Sequence, residues 1–457
     1  MVENTSVERI KEIRGRQERF FRSGVTLDVK WRLERLKAFE AAVRKWEKPL
    51  CEALWTDLHK SYEEAYLTEV SILLGEIRSH IHNIRKWSRP QRKPTPLKMF
   101  PSSSRIISEP LGTALIISPW NYPVQLLLTP LVGAISSGCT AVLKPSPYVP
   151  NVSEVTRQMI EDTFSDEYVA VVQGNREVNT ALLEERWDLI FFTGSPALGR
   201  LVMGAAAKNL TPVILELGGK SPCIVDKDAD IKVAAKRIAW GKSLNAGQTC
   251  IAPDYLMIHE EIKDEFIKEL ETSFKELLGA DASTTGHFVR IVNDKAFDRL
   301  EGYLKDGRIT FGGHTDRDDR YFEPTVLDGV SPDAPVMREE IFGPIFPVQT
   351  FKDIDEVISF VTSREKPLAL YYFGSRGDYV LRHTSSGGAC INDTIMHIAN
   401  ENIPFGGVGN SGLGSYHFKR SFDAFTHYRA VVTTPTWLDL PFRYMPYKFF
   451  KVVKRLL

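Results

Sequence analysis

One of the five cysteines sits where a sulfur could act as a nucleophile. Cys250 closes Asn245-Ala246-Gly247-Gln248-Thr249-Cys250, a loop of small residues between a helix read over 231–244 and a strand read over 255–259. Loops held on a rigid scaffold often carry reacting groups, and Gly247 lets backbone approach closely. The other four, Cys51, Cys139, Cys223 and Cys390, fall in apolar strand or helix contexts, where a thiol is a small space-filler. Glu216 is the second candidate, because it interrupts the apolar run Val213-Ile214-Leu215-Glu216-Leu217. An ionised carboxylate buried there is costly unless something pairs or uses it. Burial would raise its pKa towards that of a general base; the alternative is a salt-bridged structural glutamate. The third candidate is Phe192-Thr193-Gly194-Ser195-Pro196-Ala197-Leu198-Gly199, which ends a strand and opens a helix with proline just inside it. Such a helix end offers free N–H groups and a positive dipole to a phosphate.

Other patterns fail on inspection. Gly407-Val408-Gly409-Asn410-Ser411-Gly412 has the spacing of a dinucleotide fingerprint, but Asn400-Glu401-Asn402-Ile403-Pro404 before it is no strand. This loop is expected to serve backbone approach between domains. The Gly-Lys-Ser tripeptides at 219–221 and 241–243 lack the upstream glycine of a P-loop. No metal site is expected: there is no H-E-x-x-H, and the ten histidines show no ligand spacing. A nucleophile elbow of the form G-x-S-x-G is absent as well.

These groups need a scaffold. The 457 residues suggest two or three domains, each able to bury a core. Lys plus Arg and Asp plus Glu both number 58, so nothing points to nucleic acid as a partner. With 43% hydrophobic and 25% charged residues, the chain is too apolar for disorder and too charged for a multi-span membrane protein. An odd number of scattered cysteines and a polar, charged N-terminus without signal-peptide character predict a reducing, cytoplasmic setting. No charge occurs between Glu109 and Lys144, yet Pro119, Pro123 and Pro130 argue against a spanning helix. The better parse is strand 113–118, helix 125–137 and strand 140–144, as in a sheet covered on both faces.

The pattern elsewhere is consistent. Residues 1–88 read as helices, with Leu33, Leu36, Phe39, Val43 and Trp46 on one face. Strands at 168–173, 189–193, 213–217 and 222–225 alternate with helices at 151–164, 177–186 and 196–209. A second alternating unit adds helix 261–278, strand 369–374, helix 377–385 and strand 389–392. Short strands at 105–108 and 429–434 lie outside it. The fold class is α/β with doubly wound parallel sheets.

Taken together the motifs resemble the aldehyde dehydrogenase superfamily. They are Pro119-Trp120-Asn121-Tyr122-Pro123, Lys144-Pro145-Ser146, Phe192–Ser195 with Gly199, Leu215–Pro222, Gly247–Cys250, Glu339-Glu340-Ile341-Phe342-Gly343-Pro344 and Pro404–Gly407. The Trp-Asn-Tyr-Pro run, Thr249-Cys250-Ile251-Ala252-Pro253-Asp254-Tyr255 and the short N-terminus resemble the class 3 branch acting on fatty or aromatic aldehydes. The resemblance implies an aldehyde dehydrogenase-like fold: a Rossmann-like cofactor domain (1–93 and 109–216), a catalytic domain (217–405) and a β arm (94–108 and 406–436) that crosses to a partner in a homodimer. It implies NAD or NADP as cofactor and an aldehyde as substrate. Cys250 would form a thiohemiacetal and then a thioester, with Asn121 and the Cys250 N–H holding the oxyanion and Glu216 activating water. Lys144 would contact the adenosine ribose, Ser195 and the turn from Gly194 to Gly199 the pyrophosphate, and Glu340 the nicotinamide ribose, with Phe342 beside the ring. Alternatives are an acylating or phosphate-dependent acyl reductase on this fold, a non-catalytic binding protein on the same scaffold, and a cysteine hydrolase. The first would not need Glu216, and the last lacks a histidine in any recognised motif.

Two departures carry further expectations. Many NAD-preferring relatives place a glutamate three residues after the ribose lysine, and here that position is Pro147, which predicts that NADP is accepted. In the tail (437–457), Phe449, Phe450, Val453, Leu456 and Leu457 would share one face of a basic helix opposite Lys448, Lys451 and Arg455. Such a tail either makes weak peripheral contact with an anionic membrane or docks on the dimer.

Overall fold

The computed structural model describes residues 3–456. Its frame is two sheets. The first runs, in spatial order, Gly412–Leu413, Val213–Leu217, Leu189–Gly194, Thr113–Ile117, Thr140–Lys144 and Val169–Val171. All neighbours are parallel except the short antiparallel Gly412–Leu413 edge. Thr113–Ile117 and Thr140–Lys144 are buried throughout, because helices cover both faces. Leu115 and Ile117 point to a core shared with Ile10, Val178 and Val202, while Ala114 and Ile116 point to one shared with Leu36, Phe39 and Leu127. Helix Gln125–Ser137 lies wholly inside this second core, which explains its lack of charge.

The second sheet is ordered Arg308–Phe311, Thr325–Asp328, Ile345–Phe351, Tyr255–His259, Pro222–Val225, Ala369–Phe373 and Gly388–Ile391. Its first three strands are absent from the reading of the sequence. Pro347 lies inside Ile345–Phe351, and a proline argues against a central strand. It is tolerated because pairing changes neighbour there: residues 345–347 pair with 325–327, and 348–351 pair with 256–259.

A third, antiparallel sheet joins Gln91–Lys93, Ser103–Pro110 and Thr426–Thr433. Only the end of the 406–436 segment takes part in it. Gly412–Leu413 belongs to the first sheet, and helix Lys419–Ala424 packs on Gln125–Ser137. In the tail the helix covers Phe450–Leu456, and Phe449 precedes it, edge-on to Phe442 at 5.3 Å. The positions of Val453, Leu456 and Leu457 on the expected apolar face lie outside the described side chains. Among the described residues no helix is long and apolar enough to cross a membrane.

Strand order in the first sheet reverses at Thr113–Ile117, which has Thr140–Lys144 on one side and Leu189–Gly194 on the other. Open α/β sheets bind ligands at the carboxyl ends of strands beside such a switch point. The loops at Pro119–Asn121 and Gly194–Ser195 leave the sheet there.

Candidate active site

A cavity of about 250 Å³ opens at that point, lined by Asn121, Gly194, Ser195, Glu216, Cys250, Glu340 and Phe342. Seven of the residues singled out in the sequence therefore meet. Ser195, Gly218 and Glu340 are shared with a wider cleft of about 890 Å³. Lys144 and Gly199 line neither. Gly199 is buried under Leu217, whose side chain lies 2.7 Å from where a Cβ would be, so its smallness serves helix-on-strand packing.

Cys250 is presented by a strained loop. Asn245 and Ala246 both have φ +51° and Gly247 has φ +71°, three left-handed residues in a row. Such conformations persist only where surrounding contacts over-determine them. Here they do. The Asn245 N–H donates to Glu64 Oε1 at 2.8 Å, and its side chain donates to the carbonyls of Asn121 and Gln248, each at 3.0 Å. The buried Gln248 side chain donates to the carbonyls of Asn245 and Arg290 and accepts from Val292 N–H, all at 3.1 Å. Asn121 Nδ2 donates to the Gln248 carbonyl at 3.0 Å, and the Tyr122 and Thr249 hydroxyls meet at 2.7 Å. At Gly247 an added Cβ would lie 2.5 Å from the Gly343 carbonyl, so only glycine lets the two loops meet.

Charge in the cavity is held back by burial. Desolvation pushes the Cys250 thiol up, and Glu340 and Glu216 push the same way; the N–H groups of Cys250 and Ile251 oppose them. Glu216 is 3% exposed, neither of its oxygens has a hydrogen-bond partner, and burial lifts it well above the usual carboxylate range. This excludes the salt-bridged reading. Glu340 is pushed up to about 8, by burial first and then by Asp254, against the Gly219 N–H, Lys220 and Arg299. Its carboxylate sits over Gly218, where a Cβ would come within 2.0 Å of Oε2. Phe342 has φ +50° and turns its ring edge-on to Trp120 at 5.4 Å. The loop bearing both is pinned from behind: Lys220 pairs with Asp254 and donates to the Glu339 carbonyl at 2.9 Å, while Asp254 accepts from the Ile341 N–H at 2.8 Å.

The aldehyde dehydrogenase family model matches residues 2–431. The chain belongs to that family. Among curated relatives, 4,4'-diaponeurosporen-aldehyde dehydrogenase of Staphylococcus aureus is 46% identical over 95% of this chain and 96% of its own. Aldehyde dehydrogenase family 3 member B1 of Homo sapiens is 45% identical over 90% of this chain and 88% of its own. The dimeric NADP-preferring aldehyde dehydrogenase of Canis lupus familiaris is 41% identical over 96% and 98% respectively. A solved structure described as the substrate-bound state of Staphylococcus aureus AldH superposes with TM-score 0.96 at 45% identity, covering 98% of this chain and 99% of that one. These likenesses place the chain in the class 3 branch and make it an enzyme.

Aldehyde dehydrogenases use NAD or NADP, and the residues present fit that group. Lys144 is 1% exposed, and the Pro145 carbonyl, at 2.8 Å, is its hydrogen-bond partner. Burial lowers it to about 8, so a ribose hydroxyl would complete its coordination. Ser195 caps helix Pro196–Ala207 where it borders the cleft, its hydroxyl accepting from the Leu198 N–H at 3.4 Å, so the positive end of the helix lies where a pyrophosphate would sit. Thr193 and Gly218, which lie within the sequence motifs without an expected role, also line this aldehyde dehydrogenase site; Leu126 in the lining and Tyr416, whose buried hydroxyl has no partner and feels both Glu216 and Cys250, escaped the sequence reading. Tyr416 follows a glycine-rich loop far along the chain, where no local pattern marks it.

Proposed function

We propose that this enzyme oxidises a medium- or long-chain aliphatic, or an aromatic, aldehyde to its carboxylic acid through Cys250. One observation carries the reading: an unpartnered glutamate lines the same small cavity as an accessible cysteine in an over-determined loop. The Cys250 thiol gives its proton to solvent and its sulfur bonds the aldehyde carbon, whose carbonyl oxygen becomes an oxyanion; loss of hydride from that carbon then leaves a thioester on the sulfur. The Cys250 N–H and the Asn121 hydrogen not engaged by Gln248 hold that oxygen; losing one such donor costs about 10²–10³ in rate. NAD or NADP, when bound, supplies the hydride acceptor. Glu216 then takes a proton from water, whose oxygen attacks the thioester carbon and frees the acid and the Cys250 sulfur. Lys144, Ser195, Gly194 and Glu340 bind the cofactor, Phe342 packs beside its reacting ring, and Gly199 shapes the turn beneath. An acyl-transferring reductase would have no use for Glu216. The test is reduced-cofactor formation from a long-chain and an aromatic aldehyde without coenzyme A or phosphate. Silence across both classes would overturn the reading.

NADP is accepted as well as NAD in this proposal. Pro147 can neither accept from the ribose hydroxyls nor repel a 2′-phosphate, and a relative named NADP-preferring supports the reading. A lost charged hydrogen bond is worth roughly 1.5–3 kcal/mol, enough for about a ten-fold shift. A preference for NAD above about a hundred-fold in kcat/KM would refute it, and Pro147→Glu should selectively penalise NADP. The relative named dimeric supports a homodimer, to be checked by sedimentation. Five free cysteines fit a reducing cytoplasm. The exposed Trp437, Met445, Phe450 and Val452, with Lys448 and Lys451, fit weak contact with anionic lipid. Equal liposome binding by a chain ending at Leu440 would remove that contact.

A further inference from the structure

The pocket is braced from a part of the chain that carries none of its reacting groups. Lys60 and Glu69, both 0% exposed, form an ion pair of 2.7 Å within the helical layer. A π-helical turn, Tyr66–Val70, presents Glu69 inward, and such turns recur at functional sites. The second oxygen of Glu69 accepts from the N–H groups of Val124 at 2.8 Å and Gln125 at 3.2 Å, fixing the start of helix Gln125–Ser137. Lys60 Nζ lies 4.1 Å from the Tyr122 ring centre and donates to the Asn121 carbonyl at 3.1 Å. That carbonyl also accepts from Asn245 Nδ2 at 3.0 Å.

Two buried charges are expensive unless each is fully served, and here both are. The contacts of the pair converge on one short segment, Asn121 to Gln125. We infer that Lys60 and Glu69 are positioning residues for aldehyde oxidation: as a unit they set the backbone of Asn121, and so aim its side-chain amide at the oxyanion. Neither touches substrate or cofactor. The inference rests on the reading of Asn121 as an oxyanion donor.

Lys60→Met removes the donor to Asn121 while leaving Glu69 its two backbone donors. It should lower kcat about 10- to 100-fold with KM changed less than about two-fold. Alkylation of Cys250 by iodoacetamide, which forms no oxyanion, should keep its wild-type rate. In a double-mutant cycle, Lys60→Met should add little to Asn121→Ala, because both act through one donor. Should Lys60→Met fail to fold, Lys60→Met with Glu69→Gln leaves no unpaired charge and should give the same kinetics. The inference is overturned if the Lys60 and Asn121 losses multiply, or if alkylation slows as much as turnover. A wild-type rate for Asn121→Ala alone would instead remove the oxyanion reading, and the positioning inference with it.

Discussion

Glu216 and Glu76 are both buried glutamates, one in the candidate pocket and the other in the helical layer behind it, and their surroundings drive them in opposite directions. Around Glu76, the Phe418 N–H donates to the two oxygens at 2.7 and 2.8 Å, the Ser421 hydroxyl donates at 2.6 Å, and His80 Nε2 lies at 3.2 Å. Burial alone would push this carboxyl up. His417 and His80 more than offset that and hold it well below the usual carboxylate range. Glu216 has no donor at all, and burial leaves it well above that range. A buried carboxylate served on every side is a fixed charge that organises backbone; one left unserved keeps a proton that it can exchange with a reactant. Glu340 stands between them, with one backbone donor, two nearby cations and a pKa pushed up to about 8.

The largest effects fall on the pocket. Cys250→Ser should abolish turnover, since an alkoxide is far less available than a thiolate. Glu216→Gln should cut steady-state turnover by about 10²–10⁴, leaving a burst of reduced cofactor, while the melting temperature stays at or above wild type. Wild-type turnover in that variant would erase the contrast. Glu76→Gln should do the reverse: urea unfolding should show a loss of about 2–4 kcal/mol from charge-assisted hydrogen bonds, with kcat per folded molecule within a few-fold of wild type.

Titration sharpens the contrast at the next level. Glu76 is depressed in the folded state, so its contribution is present above the ordinary glutamate pKa and is lost as pH falls below it. Glu216 is raised, so the folded state binds the extra proton and stability declines as pH rises above the ordinary value. Stability profiles should therefore lose part of their acid limb in Glu76→Gln and part of their alkaline decline in Glu216→Gln. Turnover limited by deacylation should climb with pH in the wild type and flatten in Glu216→Gln. The smallest effect belongs to the intermediate case: Glu340→Gln should raise the cofactor KM about three- to ten-fold with a lesser change in kcat, measured by initial rates.

The sequence by itself marked what is local. Cys250 among small residues, Glu216 in an apolar run and the Gly194-Ser195-Pro196 helix entry each carry their signal within about ten residues, as do the charge-free strands of the first sheet. Only the tertiary structure decided the rest, because its causes lie far apart in the chain. Gly199 belongs to the motif by pattern but to packing against Leu217 by contact. The strand Ile345–Phe351 is hidden by Pro347, which a change of pairing partner renders harmless. Whether a buried glutamate is catalytic or structural depends on which N–H groups reach it, and for Glu76 those come from Phe418, more than three hundred residues on. Sequence supplies the side chains a site can draw on; burial and donors brought from distant segments decide which of them stay reactive.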